Sequence, residues 1–256
     1  MKSALFTLSI DDGHPLDHKI AELLHRYNIP ATFYVPYNNS EGHPVLQPQE
    51  LRELAQQFEI GSHTHDHKAL TQLTHKQAWE QIILGKDKLE EILGKTLLGF
   101  SYPLGEQYRI HRKMAKAAGF KYARTINNMH IETGHDEYAL PTTLQFFPHQ
   151  RHVLIRNYFN QGHLDQRYQS FKICLSQTSL LARVSSLFDF ALHEQQVFHL
   201  WCHSLDIEQH NLWATLENFL SYVAEKTYPH QRLTNAELVN TMLATESSVV
   251  KNTEFA

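Results

Sequence analysis

Cysteine is scarce in this sequence. Cys174 and Cys202 are the only two cysteines among 256 residues. Two cysteines cannot build a disulfide framework, and their spacing does not match a zinc knuckle. We therefore expect both to be buried free thiols, a common state for unpaired cysteine. The chain has ample length to bury a hydrophobic core of its own.

Long apolar runs and an excess of basic residues are also missing. No stretch approaches the roughly 20 apolar residues that span a bilayer. The opening residues, MKSALFTLSIDDG, lack the length and cleavage site of a signal peptide. The formal net charge of −4 provides no basic stripe for nucleic acid. We therefore expect no membrane span, no nucleic-acid partner and a cytoplasmic location.

Short apolar runs alternate with amphipathic stretches along the chain. The apolar runs predict strands, and the amphipathic stretches predict helices. Strands are predicted over 4–10, 31–36, 59–63, 96–103, 120–126 and 197–203, and helices over 17–28, 47–58, 74–94, 109–119, 217–226 and 235–244, with a mostly helical segment over 148–195 and a less regular one over 127–150. This alternation indicates parallel strands in a barrel or an open sheet. No Pro-, Gly- or Ser-rich linker divides the chain, so a single domain over 1–256 is predicted.

Polar residues follow four of the predicted strands. The segments are SIDDG at 9–13, GSHTHDH at 61–67, SYPLG at 101–105 and WCHS at 201–204. The carboxyl ends of parallel strands meet at one edge of an α/β fold, where functional groups gather. We therefore expect these four segments to converge.

The residue types in the first two segments suit a divalent cation. Asp11 and Asp12 are adjacent, and neighbouring carboxylates repel unless a cation is present. His63 and His67 are four residues apart, so a helical turn or tight loop aims both imidazoles the same way. With one carboxylate they make a set suited to Zn²⁺ or a similar ion. The alternatives are a solvated turn at the two aspartates and a pair of surface histidines, since the chain holds 19 His.

Taken together, the four motifs resemble those of NodB-homology polysaccharide deacetylases in order and spacing. The first motif of that family ends in two Asp and a Gly, and the second reads His-Ser/Thr-x-x-His. A later motif supplies a His from an apolar strand. The resemblance covers roughly residues 4–225. It implies a distorted (β/α) barrel of about seven parallel strands.

The resemblance also implies a ligand set and a cofactor. Asp12, His63 and His67 look like the metal ligands. The implied cofactor is one divalent ion, Zn²⁺ in the first place, with Co²⁺, Ni²⁺ or Mn²⁺ as alternatives. Such an ion lowers the pKa of bound water and polarises an amide carbonyl.

The remaining matched residues look like the acid–base groups and the substrate contacts. Asp11 corresponds to the general base and His203 to the general acid. A backbone N–H near Leu104 could help to hold an oxyanion. Strand alternation puts Trp201 on the same side as His203, where it could stack on a sugar or pack in the core. Tyr102 is a further candidate substrate contact, with packing as the default.

The sequence departs from the family at its third and fourth motifs. The third motif usually begins with an Arg that orients the base, and here that position is Ser101. This resembles a branch with a small residue there. The Asp-rich fourth motif is not recognisable, since Leu140 and Pro141 are followed by threonines. Arg124 is a candidate replacement by position alone, with an ordinary structural Arg as the alternative.

The implied activity is that of a metal-dependent hydrolase. It would remove an acetyl group from an N-acetylated poly- or oligosaccharide or a lipid-linked glycan. One alternative is a superfamily hydrolase acting on a small non-peptide amide, and another is a non-catalytic carbohydrate-binding relative. The helical segment over 148–195 could form a lid or an oligomer contact, and its residues do not decide between these.

Overall fold

Strand β1 (Leu5–Asp11) shows how the two faces of the sheet differ. Its side chains alternate between apolar and polar along most of its length. The computed structural model describes residues 4–253, with side chains described for residues 4–244. Phe6 packs edge-on against Phe188 of a covering helix, with ring centroids 5.9 Å apart. On the opposite face, Ser9 Oγ lies 2.6 Å from His199 Nε2 of a neighbouring strand. The sheet therefore has an apolar face against helices and a polar face that lines the barrel interior.

Seven strands form a curled parallel sheet in the order β5-β4-β3-β2-β1-β7-β6, and an eighth pairs with β1. The others are β2 (Thr32–Val35), β3 (Glu59–Ser62), β4 (Gly99–Ser101), β5 (Tyr122–Arg124), β6 (Leu144–Gln145), β7 (Val197–His203) and β8 (Arg232–Leu233). The expected distorted (β/α) barrel of about seven parallel strands is confirmed. Strand β6 falls in the segment predicted to be less regular. It has only two residues, too few for a periodic signal.

Ten helices in the described part of the chain cover the sheet and its ends. They are α1 (Asp17–Arg26), α2 (Pro48–Leu54), α3 (His75–Leu93), α4 (Arg109–Ala117), α5 (Arg151–Asn160), α6 (Leu164–Ser176), α7 (Leu180–His193), α8 (Ser204–Gln209), α9 (Trp213–Lys226) and α10 (Asn235–Thr253). Over residues 4–253, none of them combines the length and apolarity needed to cross a bilayer. The single domain over 1–256 stays a prediction.

Helix α3 has the start and stop residues that the sequence predicts. The Thr74 side chain accepts a hydrogen bond from the Gln77 N–H, which satisfies one of the free donors of the first turn. Gly94 adopts the left-handed conformation, with φ of 65°, and its N–H donates to the Glu90 carbonyl at 2.8 Å. A glycine accepts this conformation without a steric penalty, so the helix ends there.

The segment predicted to be mostly helical forms α5, α6 and α7. Arg167 of α6 is fully buried and donates hydrogen bonds to the backbone carbonyls of Asn128, Asn157, Tyr158 and Gly162. Its guanidinium thereby satisfies carbonyls at the end of α5, where a helix leaves acceptors unpaired. This single side chain ties α5 and α6 to the loop that follows β5.

Asn235, the first residue of α10, lies inside the barrel at the end opposite the polar motifs. Its side-chain oxygen accepts from the Thr7 hydroxyl at 2.7 Å, and its amide group donates to the Tyr34 hydroxyl at 2.8 Å. Its backbone N–H donates to the Thr32 hydroxyl at 2.9 Å. The C-terminal helix therefore fills one end of the barrel and leaves the other to the candidate site.

Candidate metal and catalytic site

The register of the sheet brings the predicted site residues to one edge. Strands β1 and β7 pair in parallel with Asp11 beside His203. Asp12 follows β1 directly, His63 follows the end of β3, and Arg124 ends β5. The four polar segments therefore do meet at the carboxyl ends of the strands. This edge is where α/β folds place their functional groups.

Asp12, His63 and His67 form a cluster with the composition of a metal site. One ligand atom from each residue lies within 4.8 Å of the others. The Asp12 Oδ1 atom is 3.6 Å from His63 Nε2 and 3.1 Å from His67 Nε2. This oxygen is buried and accepts no hydrogen bond of good geometry within the described part of the chain. A buried unpaired oxygen facing two imidazole nitrogens fits a divalent cation between them.

The second nitrogen of each imidazole also has a defined neighbour. His63 Nδ1–H donates to the Ser101 carbonyl at 2.8 Å, which leaves the lone pair of Nε2 facing Asp12. His67 Nδ1 lies 3.3 Å from Glu41 Oε1. Metal-bound histidines commonly direct their other nitrogen at a carbonyl or a carboxylate, which fixes the tautomer and the ring orientation. The surroundings of both rings therefore suit ligation through Nε2.

The protonation states of His63 and Asp12 favour a cation. Burial, the largest effect, lowers the pKa of His63 to about 4 despite the nearby Asp11 carboxylate, so this ring is neutral at pH 7. Burial alone would raise the pKa of Asp12, but the close contact with His67 and the charges of His203 and His63 bring it below its usual range. A neutral imidazole and an ionised carboxylate are the forms that bind metal. Burial alone would lower the pKa of His67, but its close contact with Asp12 outweighs burial and raises it, so a metal competes with a proton for that ring.

The backbone around the site adopts an uncommon conformation at several residues. Asp12, Thr64, His67 and Leu104 have positive φ values of 79°, 69°, 56° and 56°. Such conformations cost of order 1–3 kcal/mol at non-glycine residues and cluster at functional sites. The segment over 63–67, called the ligand loop below, contains two of them. Its two histidines are therefore aimed by a strained loop rather than by a helical turn.

Arg124 is the partner of Asp11. Its Nη2 donates a hydrogen bond to Asp11 Oδ1, and both side chains are buried. The guanidinium lies between the rings of Tyr34 and Trp201, at 5.1 and 5.3 Å from their centroids. Ser101 is the sheet neighbour of Arg124 in β4, and its small side chain leaves this volume free. Arg124 therefore contacts Asp11, and its role in orienting that residue stays a prediction.

His203 has a carboxylate partner that the sequence reasoning missed. Its Nδ1–H donates to Asp206 Oδ2 at 2.8 Å, and its Nε2 lies 3.9 Å from Asp12 Oδ2. Burial alone would lower the pKa of His203, but the Asp206 hydrogen bond and the charges of Asp12 and Asp11 outweigh it and raise the pKa to about 9. The ring therefore carries a proton at neutral pH and can donate it from Nε2.

A cleft of about 420 Å³ lies over these residues. Leu104 lines it with an exposed side chain, and its left-handed backbone belongs to the turn that follows β4. The residues around the cleft are Asp11, Asp12, Glu41, His43, His63, His67, Leu104, Gly105, Ile126, Trp201, His203, Leu205, Asp206 and Gln209. The cleft therefore gives a small substrate or a chain end access to the carboxylates and histidines together.

The two predicted aromatic contacts occupy different positions. Trp201 borders the cleft but is only 5% exposed, and its indole N–H donates to Asn128 Oδ1 at 3.1 Å. Tyr102 is buried in the core, and its hydroxyl donates to the Tyr138 carbonyl at 3.0 Å. Its predicted contact with substrate finds no support in this position. Ser101 faces the barrel interior, so the next residue along the strand faces the helices.

Comparison with known proteins shows which family part of the chain resembles. Residues 2–123, slightly less than half of the 256 residues, match the family model described as polysaccharide deacetylase. The match confirms that the chain resembles the NodB-homology polysaccharide deacetylase superfamily over these residues. Its assignment to a branch with a small residue at position 101 stays a prediction.

Two curated relatives match part of the chain. One is the peptidoglycan-N-acetylglucosamine deacetylase of Bacillus cereus, 28% identical over 116 residues, which cover 44% of this chain and 41% of that protein. The other is the Bacillus subtilis protein YxkH, 28% identical over 121 residues, which cover 46% of this chain and 43% of that protein. The matched regions thus span less than half the length of both relatives.

Solved structures resemble the fold over a larger part of the chain. A family 4 acetyl xylan esterase from Clostridium thermocellum, solved with a cobalt ion, has a TM-score of 0.58 at 15% identity and covers 93% of this chain and 91% of that chain. A Xyl-CE4 domain from the hindgut metagenome of Trinervitermes trinervoides has a TM-score of 0.57 at 12% identity and covers 94% and 92%. At these identities the likeness shows the fold.

Proposed function

We propose that this chain is a metal-dependent hydrolase that removes an acetyl group from an N-acetylated sugar. The observation that carries the proposal is the cluster of Asp12, His63 and His67 beside Asp11 and His203. An acid, a base and three ligands on one cleft are more than a binding module needs. The name of one relative, a peptidoglycan-N-acetylglucosamine deacetylase, supports an N-acetylated sugar, and the acetyl xylan esterase supports an acetylated glycan more broadly.

The proposed metal ligands are Asp12, His63 and His67. A divalent ion held by them, Zn²⁺ or a neighbour such as Co²⁺, Ni²⁺ or Mn²⁺, would lower the pKa of water and polarise the amide carbonyl. One carboxylate and two imidazoles leave coordination positions open for substrate and water, as catalytic sites require. The cobalt ion in the acetyl xylan esterase structure belongs to that protein and supports the expectation of a metal here.

Asp11 and His203 carry the proposed proton transfers. Asp11 takes a proton from the attacking water, whose oxygen bonds to the acetyl carbon. His203 gives its Nε2 proton to the amide nitrogen as the carbon–nitrogen bond breaks, releasing acetate and a free amine. The N–H of Leu104, a residue that lines the cleft, would stabilise the oxyanion. Arg124 orients Asp11, and Asp206 holds His203 with Nε2 towards the cleft.

A second candidate is hydrolysis of a small non-peptide amide. The small accessible area of Trp201 in the cleft favours it. The ring of Trp201 packs against Arg124 and is almost fully buried, so it offers little area on which a sugar could stack. The partners found for Asp11 and His203 argue against a non-catalytic carbohydrate binder. Such a module has no use for an oriented base and a protonated acid.

The test of the proposal combines metal analysis with an activity screen. Elemental mass spectrometry of the purified chain is expected to find about one divalent ion per chain, lost in His63→Ala and His67→Ala. Acetate release from N-acetylated sugars and small acetamides, with and without a chelator, then separates the two candidates. Activity that survives complete removal of metal would refute the proposal. So would a chain that takes up no ion after reloading with zinc, cobalt or nickel.

A further inference from the structure

The ligand loop is clamped to helix α3 by one side chain. The Asp66 N–H donates to Gln81 Oε1 at 2.8 Å, and Gln81 Nε2 donates to Asp66 Oδ2 at 2.7 Å. The amide group thus uses both its acceptor and its donor on the same residue. The backbone strengthens the contact, since the His65 N–H donates to the Gln81 carbonyl at 2.9 Å. Asp66 and His65 lie between the two proposed metal ligands of the loop.

The next turn of α3 approaches the same loop through a glycine. Gly85 lies four residues after Gln81, on the same face of the helix. A Cβ atom added to Gly85 would lie 2.5 Å from the Thr64 carbonyl carbon and 2.8 Å from the His65 nitrogen. These are backbone atoms, so a side chain at this position would have to displace the loop. Helix α3 therefore meets the ligand loop along a stripe made of Gln81 and Gly85.

The loop needs such a support because its own conformation is unfavourable. Thr64 and His67 both have positive φ values, and β-branched residues such as threonine rarely adopt them. A free loop would relax towards ordinary backbone angles. Relaxation would turn the His67 ring away from Asp12, to which its Nε2 now lies at 3.1 Å.

We propose that Gln81 is a positioning residue of the metal site, holding the ligand loop in the conformation that aims His63 and His67 at the same ion. This inference rests on the proposed function only in requiring a metal at Asp12, His63 and His67. Asp66 gains a donor from Gln81 for one carboxylate oxygen, while its other oxygen lies 2.9 Å from His65 Nδ1. The role of Asp66 is to carry these contacts rather than to bind the ion.

The substitution that tests the clamp is Gln81→Glu. It keeps the size of the side chain but replaces the donor by a carboxylate oxygen that faces Asp66 Oδ2. Gln81→Ala removes both hydrogen bonds and keeps a strong helix former. Gly85→Ala, one helical turn further along α3, adds a Cβ atom that would push against the backbone of the ligand loop. The matched control is Gln72→Glu, which makes the same charge change at an exposed position just before α3.

The measurement is the dissociation constant for Zn²⁺, taken by competition with a chromophoric chelator on the full chain, together with the visible absorption of the Co²⁺ form. Gln81→Glu and Gly85→Ala are expected to raise the dissociation constant about 10- to 100-fold and to alter the Co²⁺ spectrum. The control should match the unsubstituted chain, and the thermal unfolding of each metal-free variant shows that it is folded.

Three results would overturn the inference, and one of them also overturns the metal site. Unchanged affinity and spectrum in Gln81→Glu, Gln81→Ala and Gly85→Ala, with normal metal binding by the unsubstituted chain, would refute the clamp alone. An unsubstituted chain that binds no Zn²⁺ or Co²⁺ would refute the metal site and therefore the proposed function as well. Weakened binding without a spectral change would assign the three residues to stability rather than to ligand geometry.

Discussion

Arg124 donates a hydrogen bond to Asp11 across the interior of the barrel, although 113 positions separate the two residues in the chain. The pair joins the end of β5 to the end of β1, which lie several strands apart in the sheet. Arg124 is fully buried between two aromatic rings, so its charge is not available to solvent. Among the described residues, its one ion-pair partner is the proposed base Asp11, and we infer that Arg124 orients this carboxylate.

Replacing Arg124 should therefore damage catalysis more than metal binding. In Arg124→Ser we expect kcat to fall by about 10²-fold or more, because a misdirected base loses most of its contribution. Metal content should stay near one ion per chain. The measurement is the rate of acetate release at saturating substrate alongside elemental analysis.

The same pair allows a rescue experiment. The related family usually carries the base-orienting Arg at the position of Ser101, and Ser101 and Arg124 are neighbours in adjacent strands. The double variant Ser101→Arg with Arg124→Ser should regain part of the lost kcat. Equal rates for Arg124→Ser and the unsubstituted chain would contradict the role given to Arg124.

The carboxylate of Asp206 should set the alkaline limit of activity. His203 must be protonated to act as the donor, so activity should fall as the pH rises through the pKa of this ring, which is raised to about 9 in the metal-free chain. Asp206→Asn removes the largest effect that raises this pKa. The alkaline limb of kcat should therefore move to lower pH. A pH–rate profile from pH 6 to 10 measures the shift, using the metal-loaded enzyme.

The matched control for Asp206→Asn is Glu208→Gln, which makes the same charge change on the same helix. Glu208 pairs with Lys19 at 3.3 Å on the exposed surface and does not contact His203. Its profile should overlay that of the unsubstituted chain. An alkaline limb that stays in place in Asp206→Asn would show that Asp206 does not act on the acid.

Asp17 should make the chain less stable as the pH rises. Burial, the largest effect, raises the pKa of this carboxyl well above its usual range, and the Ser204 hydroxyl donates to it at 2.6 Å. Between the ordinary pKa of a carboxyl and the raised one, the folded state holds a proton that the unfolded state has lost. The free energy of unfolding then decreases with increasing pH across this window.

Asp17→Asn keeps an acceptor for the Ser204 hydroxyl and removes the titration. The variant should therefore match the unsubstituted chain at low pH and be more stable at pH 7 and above. Denaturant unfolding over a pH series of the metal-free protein measures this. Asp87→Asn, at an exposed position of α3, serves as the control. Parallel pH dependences for Asp17→Asn and the unsubstituted chain would refute the assignment.

Glu41 should strengthen metal binding through His67. Its carboxylate faces the Nδ1 atom of that ring at 3.3 Å, and a carboxylate behind a ligand histidine raises the basicity of the ring. Glu41→Gln is expected to raise the Zn²⁺ dissociation constant by about 10-fold. Glu53→Gln, on the exposed face of α2, provides the control. Equal Zn²⁺ affinities for Glu41→Gln and the unsubstituted chain would show that the contact between Glu41 and His67 does not strengthen metal binding.

The sequence predicts the fold and the convergence of the polar motifs because both depend on local patterns. Each of the longer strands has an apolar run, and each motif sits just past one. The barrel and the meeting of Asp11 with His203 follow from parallel pairing. Strand β6 escaped detection because its two residues carry no period. Tyr102 packs in the core, which was the default expectation for it, because strand alternation turns Ser101 inward and the next side chain towards the helices.

The supports of the site are less accessible to sequence reasoning because they depend on tertiary packing. Arg124 could be suggested only by its place at a strand end, and nothing local links it to Asp11. Asp206 lies three residues after His203 at the start of a short helix. This spacing could have predicted the contact between the two side chains. The amphipathic pattern around Gln81 predicts helix α3. It does not predict that the Gln81 side chain contacts Asp66.

The three hydrogen bonds of Asn235 constrain the order in which the chain can fold. They reach Thr7, Thr32 and Tyr34 over separations of more than 200 positions. During synthesis, the N-terminal strands emerge long before this asparagine does, so one end of the barrel stays unfilled until residue 235 has left the ribosome. Contacts of such high sequence separation are slow to close. The interior polar groups of β1 and β2 must remain hydrated until that moment, and the barrel can become dry only as a late step.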